Sequence, residues 1–136
     1  MNHHVASMLQ TYPKGLGTID QQKLAACIEA CFECAQTCTA CADACLAEEM
    51  VAELTQCVRR NQDCADVCET TGRVLSRQTG KNVALNRALL EACQAACQSC
   101  AEECEKHAEM HEHCKICAQA CRRCEQTCTE LLASIS

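Results

Sequence analysis

The sequence predicts an all-α protein: an up-down-up-down antiparallel four-helix bundle preceded by a short amphipathic helix. Three observations carry this expectation. All 18 cysteines fall in rows with steps of mostly three and four, the spacing of a core seam on a packed helix. The chain is rich in alanine, the best helix former. It holds one proline, Pro13, and two aromatics, Tyr12 and Phe32, too little of the usual material for a β domain.

The elements follow in order. Val5, Met8, Leu9 and Tyr12 stand at i, i+3, i+4 and i+7, which predicts a short helix lying on the outside of the bundle. Pro13 and the Gly15/Gly17 linker end it. Thr18 with Gln21 reads as a capping box for the next helix. From Asp20 onward nearly everything reads as helix. Gly80 with Lys81-Asn82 marks a clear stop, while Gly72 weakens a helix without ending it.

Taken literally, that leaves two helices of about 50 to 60 residues, each roughly 75–90 Å long. A compact chain folds each back on itself, and the cysteine phase shows where. After Cys45 the stripe meets Glu48, Glu49 and Ala52, then resumes in a new phase with Met50, Leu54 and Cys57. A turn is therefore expected near Ala47–Met50. The second is expected in KHAEMHEH, Lys106 to His113, between Cys104 and Cys114. Four helices result, over about 20–47, 49–79, 83–107 and 110–133, with short connections that make neighbours antiparallel. At 136 residues the chain is expected to be a single domain, with 1–17 an extension and 18–136 the bundle.

Composition narrows the function. Leu, Ile, Val and Phe number only 22, so cysteine and alanine supply the missing apolar bulk. The net charge of −6 comes with no basic stripe and almost no aromatics to stack on bases, which excludes nucleic acid as a partner. No segment approaches the uncharged apolar length of a membrane span. The N-terminus lacks the positive start and apolar run of a secretory signal, so the protein is expected in the cytosol, where thiols stay reduced.

Each predicted helix carries one cysteine row. The first has Cys27, Cys31, Cys34, Cys38, Cys41 and Cys45; the second Cys57, Cys64 and Cys68. The third has Cys93, Cys97, Cys100 and Cys104; the fourth Cys114, Cys117, Cys121, Cys124 and Cys128. The thiols should point inward, with Glu29, Glu33, Gln36, Asp43, Glu102 and Glu125 mostly facing water between them. Filling a core with reactive thiols makes little sense where Ala, Val or Leu pack as well. Disulfides fit poorly. Cysteines one turn apart have Cβ atoms about 5–6 Å apart, against roughly 3.8 Å across a disulfide.

Metal binding is the stronger reading, because thiolates are soft ligands for Cu(I), zinc and iron–sulfur clusters. No three cysteines run as CxxCxxC, the iron–sulfur pattern. CxxC occurs five times, but always inside continuous rows with eight CxxxC pairs, rather than as paired zinc knuckles. Charge also favours Cu(I). One monovalent ion per thiolate leaves a buried core neutral, whereas Zn(II) at four thiolates leaves two negative charges per site. Sequestration of Zn, Cd or Ag ions, and a thiol redox or iron–sulfur electron carrier, stand as alternatives. No acid–base constellation points to an enzyme.

Two further features stand out. The second helix's seam runs Leu54, Cys57, Asn61, Cys64, Cys68, Thr71 and Leu75, so Asn61 occupies a slot suited to a thiol. Its amide could ligate metal weakly, hydrogen-bond nearby sulfurs, or simply be satisfied by a neighbour. The topology also gathers Cys45, Met50, His107, Met110, His111, His113 and Cys114 at one end. Leu24, Leu75, Leu85, Leu89, Leu90, Leu131, Leu132 and Ile135 gather at the other. The His/Met end is expected to be the metal entrance, since imidazole and thioether can pass soft ions inward by ligand exchange. His3 and His4, on the tail, carry no assignment.

The motifs CIEACFECAQTCTACADAC, CVRRNQDCADVC, CQAACQSCAEEC followed by KHAEMHEHC, and CKICAQACRRCEQTC closely resemble the bacterial copper storage proteins, cytosolic branch. The resemblance covers about residues 20–132. It implies a four-helix bundle filled with Cu(I) on cysteine thiolates, multiple ions per chain at about one per Cys. It also implies a homotetramer, with a copper chaperone or a recipient cuproenzyme as partner. The ligand role carries onto all 18 cysteines and, less directly, onto His107, His111, His113, Met50 and Met110.

Overall fold

The computed structural model describes residues 4–135, so His3 lies outside the described residues. The protein is all-helical, with helices α1 (Val5–Gln10), α2 (Gln21–Leu46), α3 (Thr55–Ser76), α4 (Val83–Glu105) and α5 (Glu112–Ser134). There is no strand among the described residues. Helices α2 and α4 each pack against both α3 and α5, which closes a four-helix ring. The sulfurs record the antiparallel sense. Cys27, early in α2, meets Cys128, late in α5, while Cys41 meets Cys114 at the opposite ends. The pair α3/α4 behaves alike, through Cys57–Cys104 and Cys68–Cys93.

Helix starts depart from expectation in instructive ways. The cap of α2 is Asp20 rather than Thr18: its Oδ1 accepts from the backbone N–H of Gln22 at 3.0 Å and of Lys23 at 3.1 Å. A carboxylate there answers two orphan donors and the positive helix end together. Asn82 caps α4 by accepting from Leu85 N–H at 3.0 Å. The turn after α2 is longer than expected, because Val51–Leu54 form a 3₁₀ turn before α3 begins at Thr55. Leu54 is buried there and anchors the tight turn. Likewise α3 ends at Ser76 rather than 79, and α5 begins at Glu112 rather than 110.

The N-terminal helix lies against α2 through buried Leu9, while Met8 on the expected apolar stripe is exposed. Its descending chain is tied across the bundle's closed end. The Tyr12 hydroxyl and Thr79 Oγ1 lie 2.8 Å apart, and Lys81 Nζ donates to the Leu16 carbonyl at 3.1 Å. The aliphatic plug at this end is narrower than expected. Leu24, Leu75, Leu90 and Leu131 are buried, Leu89, Leu132 and Ile135 are half-buried, and Leu85 is exposed.

Gly72 stays inside α3, where the ring of Phe32 from α2 sits over it. A Cβ at Gly72 would meet Phe32 Cζ at 2.9 Å and both Cε atoms at 3.1 Å. The glycine thus trades helix propensity for close approach of α2 and α3. Gly72→Ala is expected to cost about 1 kcal/mol by overpacking. In a Phe32→Leu background the clash is gone, and the same change should stabilise by about 1 kcal/mol through helix propensity. Thermal melts of the four proteins check this; equal effects in both backgrounds would refute the close-approach explanation.

Candidate metal centre

Steps of three and four keep each row's sulfurs on one stripe of its helix, and packing turns all four stripes inward. All 18 cysteines are free, and none exceeds the 2% exposure of Cys41. The sulfurs touch across every helix boundary. Cys34 meets Cys64 at 3.9 Å (α2/α3), Cys68 meets Cys97 at 3.6 Å (α3/α4), Cys93 meets Cys124 at 3.9 Å (α4/α5), and Cys38 meets Cys121 at 3.6 Å (α2/α5). Metal–thiolate bonds near 2.3 Å hold sulfurs about 3.8–4.0 Å apart around a trigonal or tetrahedral ion. The metal-free bundle already has that spacing.

The sulfurs fall into quartets whose members all lie within 4.8 Å of one another, among them Cys31/Cys93/Cys124/Cys128, Cys34/Cys68/Cys97/Cys124, Cys34/Cys38/Cys64/Cys121, Cys38/Cys100/Cys117/Cys121 and Cys41/Cys45/Cys57/Cys114. The first four share corners: Cys124 serves two, Cys34 two, and Cys38 and Cys121 two each. A discrete zinc cage owns its four ligands. Shared corners instead suit bridging sulfurs and a chain of closely spaced ions.

Asn61 is fully buried among them. Its Oδ1 accepts from the thiols of Cys100 and Cys117 at 3.0 Å each and of Cys104 at 3.6 Å, while its Nδ2 donates to Cys57 Sγ at 3.7 Å. The amide fills the missing thiol's slot and satisfies itself on four sulfurs.

The buried polar or charged side chains among the described residues are Asn61, Thr71 and His111, so no Lys or Arg neutralises the core. Burial pushes the Cys45 thiol up to about 11 and also raises Cys114. Deeper in, donation from Cys128 and then Cys31 lowers Cys27 to about 5. Without metal the core sulfurs share hydrogens unevenly, those that accept, such as Cys27, being lowered and those that donate, such as Cys31, being raised. A monovalent cation that displaces a thiol proton leaves the local charge unchanged, which a divalent ion does not.

The opposite end from the leucine plug holds His107, His111 and His113. His113 Nδ1 lies 3.4 Å from Cys41 Sγ and 3.7 Å from Cys114 Sγ, so this imidazole joins the thiol network. Its Nε2 meets Glu48 Oε2 at 2.8 Å. Burial works against the charged form of His113, but Cys41 and Glu48 outweigh it and raise its pKa. The His113 hydrogen bond in turn holds the Glu48 carboxyl below its usual range. His111 is buried and stacks on His113, with ring centroids 5.5 Å apart. His107 is half-buried and pairs with Glu103 at 3.1 Å. Met50 is half-buried at the start of the 3₁₀ turn, and Met110 is 64% exposed. The fold thus brings His113 against the sulfurs, sets His111 beside it, and leaves Met110 outermost. Glu48 was legible in the sequence only as an interruption of the stripe.

A helical bundle lined from plug to mouth with cysteine is a thiol-rich metal-binding protein. The chain matches the family model described as "Copper storage protein" over residues 20–133 and belongs to that family. The structure of the copper storage protein Ccsp from Streptomyces lividans, loaded with 10 copper equivalents, is similar with a TM-score of 0.95 and 56% identity, covering 96% of this chain and 99% of that one. The Cu(I)-bound copper storage protein BsCsp3 is similar with a TM-score of 0.73 and 32% identity, covering 82% of this chain and 99% of that one. The uncharacterized cysteine-rich protein YhjQ of Bacillus subtilis (strain 168) is 33% identical over 113 residues, 83% of this chain and 99% of that protein.

Proposed function

We propose that this protein stores Cu(I) in the cytosol at high capacity, about one ion per cysteine, on the thiolates lining the bundle. The observation that carries this reading is the continuous network of buried sulfurs spaced for metal–thiolate bonds, four quartets sharing corners and the mouth quartet joined to them through the Cys57–Cys104 and Cys100–Cys104 contacts. The similar proteins loaded with copper support it, and one of them is described as cytosolic. No helix among the described residues is long and apolar enough to cross a membrane. The ligands are the 18 cysteines, with His113 and His111 at the entrance, His107 and Met50 beside it, and Met110 as an outer contact. Asn61 is a hydrogen-bonding partner of the sulfurs and a weak ligand at most. The reading assigns no catalysis. It takes the chain as one domain with residues 1–17 as an extension, assembled as a homotetramer that receives copper from a chaperone or passes it to a cuproenzyme.

The test is anaerobic titration of the fully reduced protein with Cu(I) against a competing chelator. About one tightly bound ion per thiol is expected, with full helicity already present before metal is added. Saturation near four ions would favour zinc-like cages. Stoichiometric iron and sulfide with visible absorption would favour an electron carrier.

A further inference from the structure

We propose that Glu48 is the positioning residue of the copper entrance, one carboxylate oxygen orienting two imidazoles so that each presents a free nitrogen to the incoming Cu(I). The inference rests on the storage reading above and adds to it a residue that is not itself a ligand. Glu48 lies in the turn after α2, and its Oε2 faces both His113 Nε2 at 2.8 Å and His111 Nδ1 at 3.1 Å. A carboxylate only accepts hydrogen bonds, and a nitrogen lone pair at that distance would be repelled. His113 Nε2 therefore carries the hydrogen, and a hydrogen rather than a lone pair is also favoured on His111 Nδ1, which lies beside the same oxygen. When a ring is neutral its other nitrogen then holds the lone pair, and where His113 is charged the incoming Cu(I) displaces its second proton.

The positions of those other nitrogens give this its meaning. His113 Nδ1 points at Cys41 Sγ and Cys114 Sγ, two members of the quartet at this end of the core. His111 Nε2 is shielded from solvent and has no hydrogen-bond partner among the described residues. A buried, unpartnered acceptor costs free energy unless something visits it. Its neighbour's free nitrogen faces sulfur, so a soft cation is the fitting visitor. Carboxylate–histidine pairs orient metal ligands in this way, and their loss costs about 10–100-fold in metal affinity or activity. The same carboxylate joins the turn after α2 to the start of α5, so it holds the two lips of the mouth in register.

The test uses the full-length reduced protein, with Cu(I) delivered anaerobically from a weak chelator and loading followed by copper–thiolate absorption. Glu48→Gln should load about tenfold more slowly with unchanged final capacity, and Glu48→Asp should recover part of the rate. Imidazole ¹⁵N spectra should show His113 changing from the Nε2–H tautomer to a mixture, which a merely structural role would not produce. The same substitution made in a His111→Ala/His113→Ala background should slow loading no further. Equal slowing in that background would mean that Glu48 attracts cations by charge alone, and would overturn the proposal. So would a native loading rate in Glu48→Gln alongside a slow His111→Ala/His113→Ala variant, with the storage reading intact. A His111→Ala/His113→Ala variant that loads at the native rate would remove the entrance and the role of Glu48 with it. Failure of the storage reading would appear separately, as wild-type protein that does not take up Cu(I).

Discussion

Loading the reduced protein with Cu(I) is expected to raise its thermal midpoint by more than about 20 °C, a larger effect than any single substitution here. The reasoning starts from how little holds the metal-free bundle. Its large, fully buried apolar side chains are few, Leu24, Ile28, Leu54, Leu90 and Leu131, and most of the interior is small thiol. Sulfur–sulfur contacts join the helices without binding them strongly. A ligand bound only by the folded state stabilises it by about 4 kcal/mol when its free concentration is a thousand times Kd. Here many sites act together. Ions placed between Cys27 and Cys128, Cys31 and Cys93, Cys34 and Cys64, or Cys57 and Cys104 would each pin one helix to another. About 1 kcal/mol shifts the midpoint of a domain this size by a few degrees, so even a fraction of the sites suffices. Anaerobic calorimetry at zero and saturating Cu(I) checks it. An unchanged midpoint would sink the view that copper occupies the core.

How much of this could be read from the sequence depends on whether the signal is periodic or spatial. The seam of α3 is the clearest success: Leu54, Cys57, Asn61, Cys64, Cys68, Thr71 and Leu75 were expected to face inward, and all seven are buried. Periodicity finds such residues because one helix fixes their common face. Helix starts were less legible. Thr18 and Gln21 satisfy a local pattern, yet Asp20 caps α2, because one carboxylate can reach two backbone donors. The start of α3 slipped from 49 to 55 because the buried Leu54 closes a 3₁₀ turn, which the heptad-like spacing does not encode. Glu48 was missed for a different reason. Its partners lie more than sixty residues away, in another turn, and only the antiparallel topology brings the two turns to one end. Leu85 shows the converse: apolar and at the plug end, but on the outer side of α4's seam, it is exposed.

Direction of filling offers the second large effect. Removing the mouth quartet, Cys41, Cys45, Cys57 and Cys114, and removing the deep quartet, Cys31, Cys93, Cys124 and Cys128, should each lower capacity by about four ions. The kinetics should differ. The deep quartet lies toward the end sealed by Leu24, Leu75, Leu90 and Leu131, over which the N-terminal segment is tied. Ions reach it only by exchange along the chain of sulfurs, so its loss leaves earlier steps untouched and loading should begin at the native rate. The mouth quartet touches the histidine cluster through Cys41 and Cys114. Without it an ion must cross an apolar gap with no ligand to receive it, and loading of every remaining site should slow several-fold. Alanine is the suitable replacement, since serine would bury hydroxyls without assured partners. The cavities left by alanine cost stability, so helicity is measured first. If a quartet variant is unfolded, the pairs Cys45/Cys114 and Cys93/Cys128 make the same comparison. Slow loading in the deep variant with native loading in the mouth variant would place the entrance at the leucine end instead. The two variants differ in where they interrupt the sulfur chain and not in how many thiols they remove, so once their helicity is matched a difference in rate between them reports the direction in which copper travels.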